Sequence, residues 1–368
     1  MSFSLEDHQF MSRAIELAAR GLYSTDPNPR VGCVIVNNGS VVGEGWHERA
    51  GESHAEVNAL TQAGEQAEGA TVYVSLEPCC HQGKTPPCTD ALINAKVDRV
   101  VAAMQDPNPA VAGNGLQQLT NSGIFAEVGL LETAAHDLNP GFIQRMKTSR
   151  PYVRSKLAMS IDGRTAMDNG ESKWITSDQA REDVHRLRAR SSAIVTGAGT
   201  VLADDPAMTA RLAGVTRQPL RIIIDTNLST PVDAKILKQE GETHILTCSD
   251  DDDSIELLSH AGAKVIQLPM AHNQVDLFAM MDYLNKLEVN EVLLETGATL
   301  SGAMLEAQLI DELIVYMAPI VMGNEARGLF RLPHLTTMAD RVEFSLLESR
   351  AVGKDLRLSF LPQYKSEN

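Results

Sequence analysis

Two runs, Ile222-Ile223-Ile224 and Val292-Leu293-Leu294, constrain the fold of this chain most. Successive side chains of a strand point to opposite faces, so an unbroken apolar run belongs to a strand covered on both sides, as in parallel sheets clothed by crossover helices. Apolar strands recur at Val153 to Met159, Ala193 to Thr196, Leu220 to Asp225, His244 to Thr247, Lys264 to Leu268, Glu291 to Glu295 and Leu313 to Ala318. Helical stretches separate several of them, which predicts an α/β unit. Val342 to Leu347 and Leu356 to Phe360, turning near Gly353, read as a terminal antiparallel hairpin.

A second α/β unit precedes this one. Ser4 with Asp7 reads as a capping box for a helix whose apolar face is Phe10, Met11, Ala14, Ile15, Leu17 and Ala18, with Gly21 as its stop. Val31 to Val36 and Val41 to Trp46 flank Asn37-Asn38-Gly39-Ser40, a sequence suited to the positive φ angles of a tight hairpin. Ser53 with Glu56 reads as another capping box, opening a helix to about Ala63. A strand at Thr71 to Leu76, a short helix at Thr89 to Ala95 and a strand at Arg99 to Met104 come next. Asn139-Pro140-Gly141 and Arg150-Pro151 punctuate the chain, so the domains are expected at residues 1–147 and 148–368.

The formal charge of −16 argues against broad adhesion to nucleic acid or anionic membrane, which needs clustered Lys and Arg. No apolar stretch approaches the ~18 residues of a spanning helix, and Met1 to Arg20 lacks a signal-peptide core, so a cytoplasmic protein is expected. Five cysteines are an odd count without an export signal, which makes a disulfide framework a poor reading. Cys79, Cys80 and Cys88 crowd into ten residues and suggest a metal; Cys33 and Cys248 sit in or beside strands and read as core or incidental.

His54-Ala55-Glu56 means little alone, but Pro78-Cys79 lies at the end of a strand and Cys88 nine residues on. One histidine and two thiolates give Zn²⁺ three protein ligands and leave a fourth position for water, the arrangement of a catalytic zinc. Such a zinc activates its water near neutral pH, and a carboxylate that does not ligate the metal can carry the proton to a ring nitrogen and leaving ammonia. Glu56 fits that role if His54 and Glu56 converge at the mouth of their helix, where the Ser53 cap is expected to place them. Cys79 is preferred to Cys80 because it comes directly after the proline of the deaminase signature. A closed structural zinc site that includes His81 or Cys80, with Glu56 a mere cap, is the competing reading.

Eight residues rather than two separate Cys79 from Cys88. With Asn28-Pro29-Arg30-Val31-Gly32 before it and Asp106-Pro107-Asn108-Pro109 after it, the segment Cys79-Cys80-His81-Gln82-Gly83-Lys84-Thr85-Pro86-Pro87-Cys88 resembles the deaminase of bacterial riboflavin biosynthesis over most of residues 5 to 145. The resemblance implies a cytidine-deaminase-like three-layer domain and one zinc per chain. It also implies a diaminopyrimidinone substrate bearing a ribosylamino 5′-phosphate, lined by Asn28, His47, His81, Lys84, Asp106 and Asn108.

In the second half no Gly-x-Gly-x-x-Gly comes after a strand, and Gly197-Ala198-Gly199-Thr200 has the wrong spacing for that fingerprint. Gly297 to Gly302, after the strand ending at Glu295, opens a helix whose backbone N–H groups can cradle a phosphate. Lys156 to Arg164, Gly170 to Thr176 and Thr200 to Pro206 resemble the riboflavin-pathway reductase, whose fold is similar to dihydrofolate reductase. That resemblance implies NADPH-dependent reduction of the ribosyl group to a ribityl chain and a homo-oligomer. Its NADPH contacts fall on Ala158, Trp174, Thr200, Asp204, Thr226 and the turn Gly297, Ala298, Thr299, Leu300, Ser301, Gly302 and Ala303. Its substrate contacts fall on Ser172, Arg188, Met208, Arg211 and Glu295.

Arg188 and Arg211 suit bidentate binding of the sugar phosphate, and Trp174 a flat apolar wall beside a cofactor ring. Lys156 and Glu295 are the candidates for orienting the sugar and assisting its ring opening. The rival class is a zinc deaminase acting on nucleic acid or a nucleoside with a non-catalytic second half. An aromatic content of 4% and the acidic charge argue against it.

Overall fold

The computed structural model describes residues 3–83, 86–109, 111–215 and 217–364. The chain divides into two compact units, Met1–Arg150 and Pro151–Asn368.

The first unit opens with α1 (Leu5–Ala19), whose Ser4–Asp7 capping box forms as its sequence predicts. The hairpin β1 (Gly32–Asn37) and β2 (Ser40–Trp46) turns through Asn38 and Gly39, both at positive φ. Then come α2 (Ala55–Ala63), β3 (Thr71–Val74), α3 (Cys88–Asn94) and β4 (Arg99–Ala102). The unit is completed by α4 (Asn114–Asn121), β5 (Phe125–Val128), α5 (Glu132–Leu138) and α6 (Pro140–Thr148), elements that the sequence pattern did not reveal.

The sheet runs β2-β1-β3-β4-β5, antiparallel through β3 and parallel beyond. Alternation along each strand divides its side chains between two cores. Ile35, Val72 and Val100 pack with Ala55 and Ala59 of α2, Leu92 of α3 and Leu119 of α4. Val34, Tyr73 and Val101 pack with Met11 and Leu17 of α1, Ala135 of α5 and Phe142 of α6. The result is three layers, helix on sheet on helix, as the resemblance implies.

In the second unit β6 (Tyr152–Ser160) leads to the short β7 (Arg164–Ala166), α7 (Asp178–Arg190), β8 (Ala193–Gly197) and α8 (Ala198–Asp204). Next are β9 (Leu220–Ile224), β10 (Thr243–Thr247), α9 (Asp252–His260) and β11 (Ala263–Gln267). The two-residue strands β12 (Met270–Ala271) and β13 (Gln274–Val275) pair before α10 (Leu277–Lys286), β14 (Glu291–Leu294), α11 (Ala298–Glu306) and β15 (Glu312–Ala318). Last come β16 (Arg327–Gly328), which pairs with β7, and the hairpin β17 (Glu343–Val352) and β18 (Asp355–Gln363).

The main sheet runs β11-β10-β9-β8-β14-β6-β15-β18-β17, parallel except for the β17–β18 hairpin at one edge. The two apolar runs behave as their composition requires. Ile223 and Leu293 enter a core with α7, α8 and α9, while Ile222, Ile224, Val292 and Leu294 enter another with α10 and α11. With both faces buried, chemistry in this unit is left to the strand ends, and the ends of parallel strands are where open α/β sheets bind ligands.

One glycine sets the position of α2 against β2. A Cβ on Gly45 would lie 2.4 Å from the Ala55 carbonyl oxygen and 2.6 Å from the Ala59 nitrogen, so only glycine admits the helix this closely. Gly45→Ala is therefore expected to destabilise the first unit by about 1–3 kcal/mol, the usual range for overpacking. Urea denaturation checks this, and deamination should fall with it because α2 carries His54 and Glu56.

Candidate functional site

Helix α2 begins at Ala55, and its N-cap is His54, with extended backbone and no side-chain cap hydrogen bond. This corrects the Ser53–Glu56 capping box: the helix starts one residue later, which leaves the imidazole out of the cap and puts Glu56 inside the first turn. From the other side, Cys79 comes after β3 and Cys88 opens α3. Thr89 N–H donates to the Cys79 carbonyl (3.1 Å), and Cys88 N–H donates to the Cys79 sulfur (3.3 Å), which locks the two cysteines together.

His54 Nδ1 lies 3.5 Å from Cys79 Sγ and 3.3 Å from Cys88 Sγ. The three ligand atoms all lie within 4.8 Å of one another. A tetrahedral zinc with bonds of ~2.05 Å to nitrogen and ~2.3 Å to sulfur spaces those atoms about 3.5 Å apart, so the set fits zinc. Contact with Cys88 and His54 pulls the Cys79 thiol down to about 4, while the same contact and burial push Cys88 up. Glu56 is buried, and its Oε2 has no hydrogen-bond partner among the described residues. Burial, then the charge of Cys79, raises its carboxyl to about 7. A buried carboxylate oxygen without a partner, beside three metal-ligand atoms, is suited to holding a proton in transit.

His47 Nδ1 lies 3.1 Å from the Ser53 carbonyl, so it donates there, and its Nε2 accepts from Asn28 Nδ2 at 3.0 Å. Burial lowers the pKa of this ring and keeps it neutral. The ring stands edge-on to His54, centroids 5.3 Å apart, which brings Asn28 and His47 to the metal-ligand cluster. Asp106 is buried, and its Oδ1 accepts from Asn108 N–H at 2.8 Å. Burial, with the charges of Glu77 and Cys79, raises Asp106 to about 6. His81 is exposed and Cys80 half-buried outside the cluster, while Cys33 is core. Lys84 lies outside the described residues.

In the second unit some of the expected residues lie at or just beyond strand ends, Ala158 near the end of β6, Thr226 beyond β9 and Glu295 beyond β14. Glu295 sits just beyond β14 and takes both nitrogens of the Arg188 fork, Nε at 2.6 Å and Nη2 at 2.9 Å, with Lys156 Nζ at 3.5 Å. Burial alone would raise the Glu295 carboxyl, but Arg188 and Lys156 outweigh it and hold it at about 2. Two expectations change. The Arg188 fork is engaged by Glu295 rather than presented for a phosphate, and Glu295 is an anion unsuited to donating a proton. Met208 Sδ lies 3.8 Å from Arg188 Nη2, and the Arg188 Nη1 donates to the Thr209 carbonyl.

Arg211 meets His185, a residue the sequence reading missed, with its Nη2 3.2 Å from the ring Nε2. His185 precedes Arg188 by one helical turn on α7, the spacing that could have revealed it. Ser172 and Trp174 lie between β7 and α7. Trp174 is 69% exposed, its ring face covered by the Arg181 guanidinium at 4.4 Å, so it walls no pocket here. Thr200 and Asp204 lie on α8, where Asp204 holds Lys173 at 3.4 Å. Thr226, beyond β9, donates to Gln274 Oε1 at 3.0 Å, and Ala158 lies on β6.

Gly297 is the N-cap of α11 and offers no side-chain cap, so the first N–H groups of that helix are free of one, as a bound phosphate requires. Ala298, Thr299, Leu300, Ser301 and Ala303 continue this helix, and the hydroxyls of Ser301 and Thr196 are buried without partners among the described residues. Gly302 instead faces the Arg331 backbone, whose oxygen a Cβ would approach to 2.1 Å.

Fold and sites together define a zinc deaminase unit of the cytidine deaminase type followed by a reductase unit of the dihydrofolate reductase type. The model of the cytidine and deoxycytidylate deaminase zinc-binding region matches residues 4–104, and that of the RibD C-terminal domain matches residues 151–358. The chain is 50% identical to riboflavin biosynthesis protein RibD of Escherichia coli K12, over 96% of this chain and 99% of that one. It superposes on Acinetobacter baumannii RibD with a TM-score of 0.90 at 46% identity, covering 98% of this chain and 99% of that one. A diaminohydroxyphosphoribosylaminopyrimidine deaminase/5-amino-6-(5-phosphoribosylamino)uracil reductase from Thermotoga maritima gives 0.86 at 31% identity, with 97% and 99% covered. The chain belongs to the RibD family, bifunctional enzymes of riboflavin biosynthesis that join a zinc-dependent deaminase to an NADPH-dependent reductase. The match spans both halves, so a deaminase with an inert second half is not favoured.

The Glu295 pairing predicts a pH dependence. A carboxyl held below its ordinary 4.5 adds stability that is complete above that value and is lost as pH falls toward about 2. Glu295→Gln should cost about 3 kcal/mol at neutral pH, since it strands two cations. The gap from the native protein should close between about pH 4.5 and 2, as read by denaturation at several pH values.

Proposed function

We propose that residues 1–147 hydrolyse the 2-amino group of 2,5-diamino-6-(5-phosphoribosylamino)pyrimidin-4(3H)-one and that residues 148–368 then reduce the ribosyl group to a ribityl chain. The observation that carries this reading is the cluster of His54, Cys79 and Cys88 beside the buried Glu56 carboxylate. His54, Cys79 and Cys88 would hold zinc, which supplies a water activated at neutral pH. Glu56 would carry one proton from the attacking water to the ring nitrogen and a second from the added hydroxyl to the amino group, which leaves as ammonia. Asn28 and His47, fixed in one tautomer, read polar edges of the ring from one side, Asp106 and Asn108 read others, and His81 and Lys84 serve the phosphorylated end.

The α11 start with Ala158, Trp174, Thr200, Asp204 and Thr226 would hold NADPH, which when bound would supply hydride for reduction of C1′ of the opened sugar. Lys156 orients the sugar and is the remaining proton donor, because Glu295 is held as an anion by Arg188. Arg211, backed by His185, takes the phosphate, and Ser172 and Met208 line the sugar. The net charge of −16 supports a small-molecule substrate over nucleic acid. No helix among the described residues is long and apolar enough to cross a membrane; a cytoplasmic homo-oligomer is what the sequence and its resemblance imply.

Glu56→Gln is expected to keep stoichiometric zinc yet lose deamination by ~10²-fold or more, as for removal of a general acid/base. NADPH oxidation with the diaminopyrimidinone substrate should fall in parallel, while oxidation with the already deaminated compound should not. Undiminished deamination by the variant would reassign the proton carrier. His54→Ala, by contrast, should lose the metal itself, measured by elemental analysis after dialysis against a chelator.

A further inference from the structure

Glu77 stands immediately before Pro78-Cys79, and its carboxylate is buried. It is not one of the three metal-ligand residues: its side chain accepts four backbone hydrogen bonds from a distant stretch of chain. Oε2 accepts from Asp106 N–H at 3.1 Å and Gly113 N–H at 2.9 Å. Oε1 accepts from Gly115 N–H at 2.9 Å and Leu116 N–H at 3.2 Å. Gly115 and Leu116 are in the first turn of α4, whose N-cap, Gly113, has no side chain to satisfy them. Glu77 thus caps α4 from another element, with its negative charge at the positive end of the helix dipole.

The closeness is built into the chain. A Cβ on Gly115 would lie 2.2 Å from the Pro78 carbonyl oxygen and 3.1 Å from Glu77 Oε1, so α4 can start here only with glycine at that position. A second tie joins α4 to the cysteine helix: Thr89 Oγ1 donates to Gln118 Oε1 at 3.0 Å, and Gln118 Nε2 donates to Asp90 at 2.9 Å. The segment held between Asp106 and Gly113 contains Asn108. The strand end that delivers Cys79 and the loop that delivers Asp106 and Asn108 are therefore held in one frame by a single carboxylate.

We infer that Glu77 is a positioning residue of the deaminase, which sets the Asp106–Asn108 loop against the metal-ligating cysteines and so governs substrate binding rather than the proton-transfer step. This rests on the function proposed above. The carboxylate is acceptor-only, whereas an amide in its place turns one of its two sides into a donor facing two N–H groups. Loss of charge-assisted hydrogen bonds of this kind is expected to raise the KM for deamination by about tenfold or more.

The test is Glu77→Gln and Glu77→Asp in the full-length zinc enzyme, assayed separately for deamination, for reduction of the deaminated compound and for bound zinc. Support is a raised KM with kcat much less changed, full zinc, unchanged reduction and a smaller effect for Glu77→Asp. Unchanged KM, or loss of zinc alongside activity, overturns it. If the native enzyme does not deaminate at all, it is the function proposed above that fails, which the native control reveals. Should the variants not fold, hydrogen exchange on the native enzyme decides: the amides of Asp106, Gly113, Gly115 and Leu116 should be protected, and fast exchange at all four overturns the clamp.

Discussion

The deaminase unit depends on bringing one imidazole nitrogen and two sulfur atoms to within bonding reach of a common point from segments about 25 and 34 residues apart in the chain. Two helix starts achieve it. His54 stands at the N-cap position of α2 with its ring left for the cluster, Cys88 opens α3, and backbone N–H groups at such starts favour the thiolate form of the sulfur they face. The neighbouring elements serve this meeting. Gly45 lets α2 lie close on the sheet, β3 delivers Cys79, and Cys88 N–H closes the pair of cysteines.

The reductase unit solves a similar problem with charge instead of metal. Its central strands are buried on both faces, so polar groups at their carboxyl ends meet little water and must satisfy one another. Glu295, Arg188 and Lys156 do so as a compact cluster, and the same ends carry the glycine starts of α8 and α11. At the opposite ends of β6, β14 and β15, Arg154 bridges Glu291 and Glu312 as a buried cation. Both ends of the sheet are thus pinned by ion pairs, and the carboxyl end also has helix starts without side-chain caps, open to a ligand.

Much of this was legible in the sequence, unevenly so. Strands with two-sided apolar runs were, because burial on both faces leaves a compositional mark. β5 was not: Phe125 and Val128 are exposed on an edge strand, and Phe-Ala-Glu-Val carries neither alternation nor a continuous run. The helices α5 and α6 share a boundary at Asn139, whose side chain is engaged by Arg30 and whose Pro-Gly sequel reads as a break. Ser53 and Glu56 match a capping box by spacing alone, but the helix begins one residue later and Glu56 turns inward.

The sequence by itself determined the donor types and their spacing, the helix and strand periods, and the resemblance that rests on both, because these are properties of neighbours along the chain. Only the tertiary structure decided which charges meet. Arg188 on α7 and Glu295 beyond β14, 107 residues apart, pair because that helix packs against that strand, which turned an expected phosphate ligand into the partner of a buried anion. Likewise, the four N–H groups on Glu77 come from 29 to 39 residues away. Such contacts are fixed by packing and strand register, and neither leaves a local trace in the order of residues.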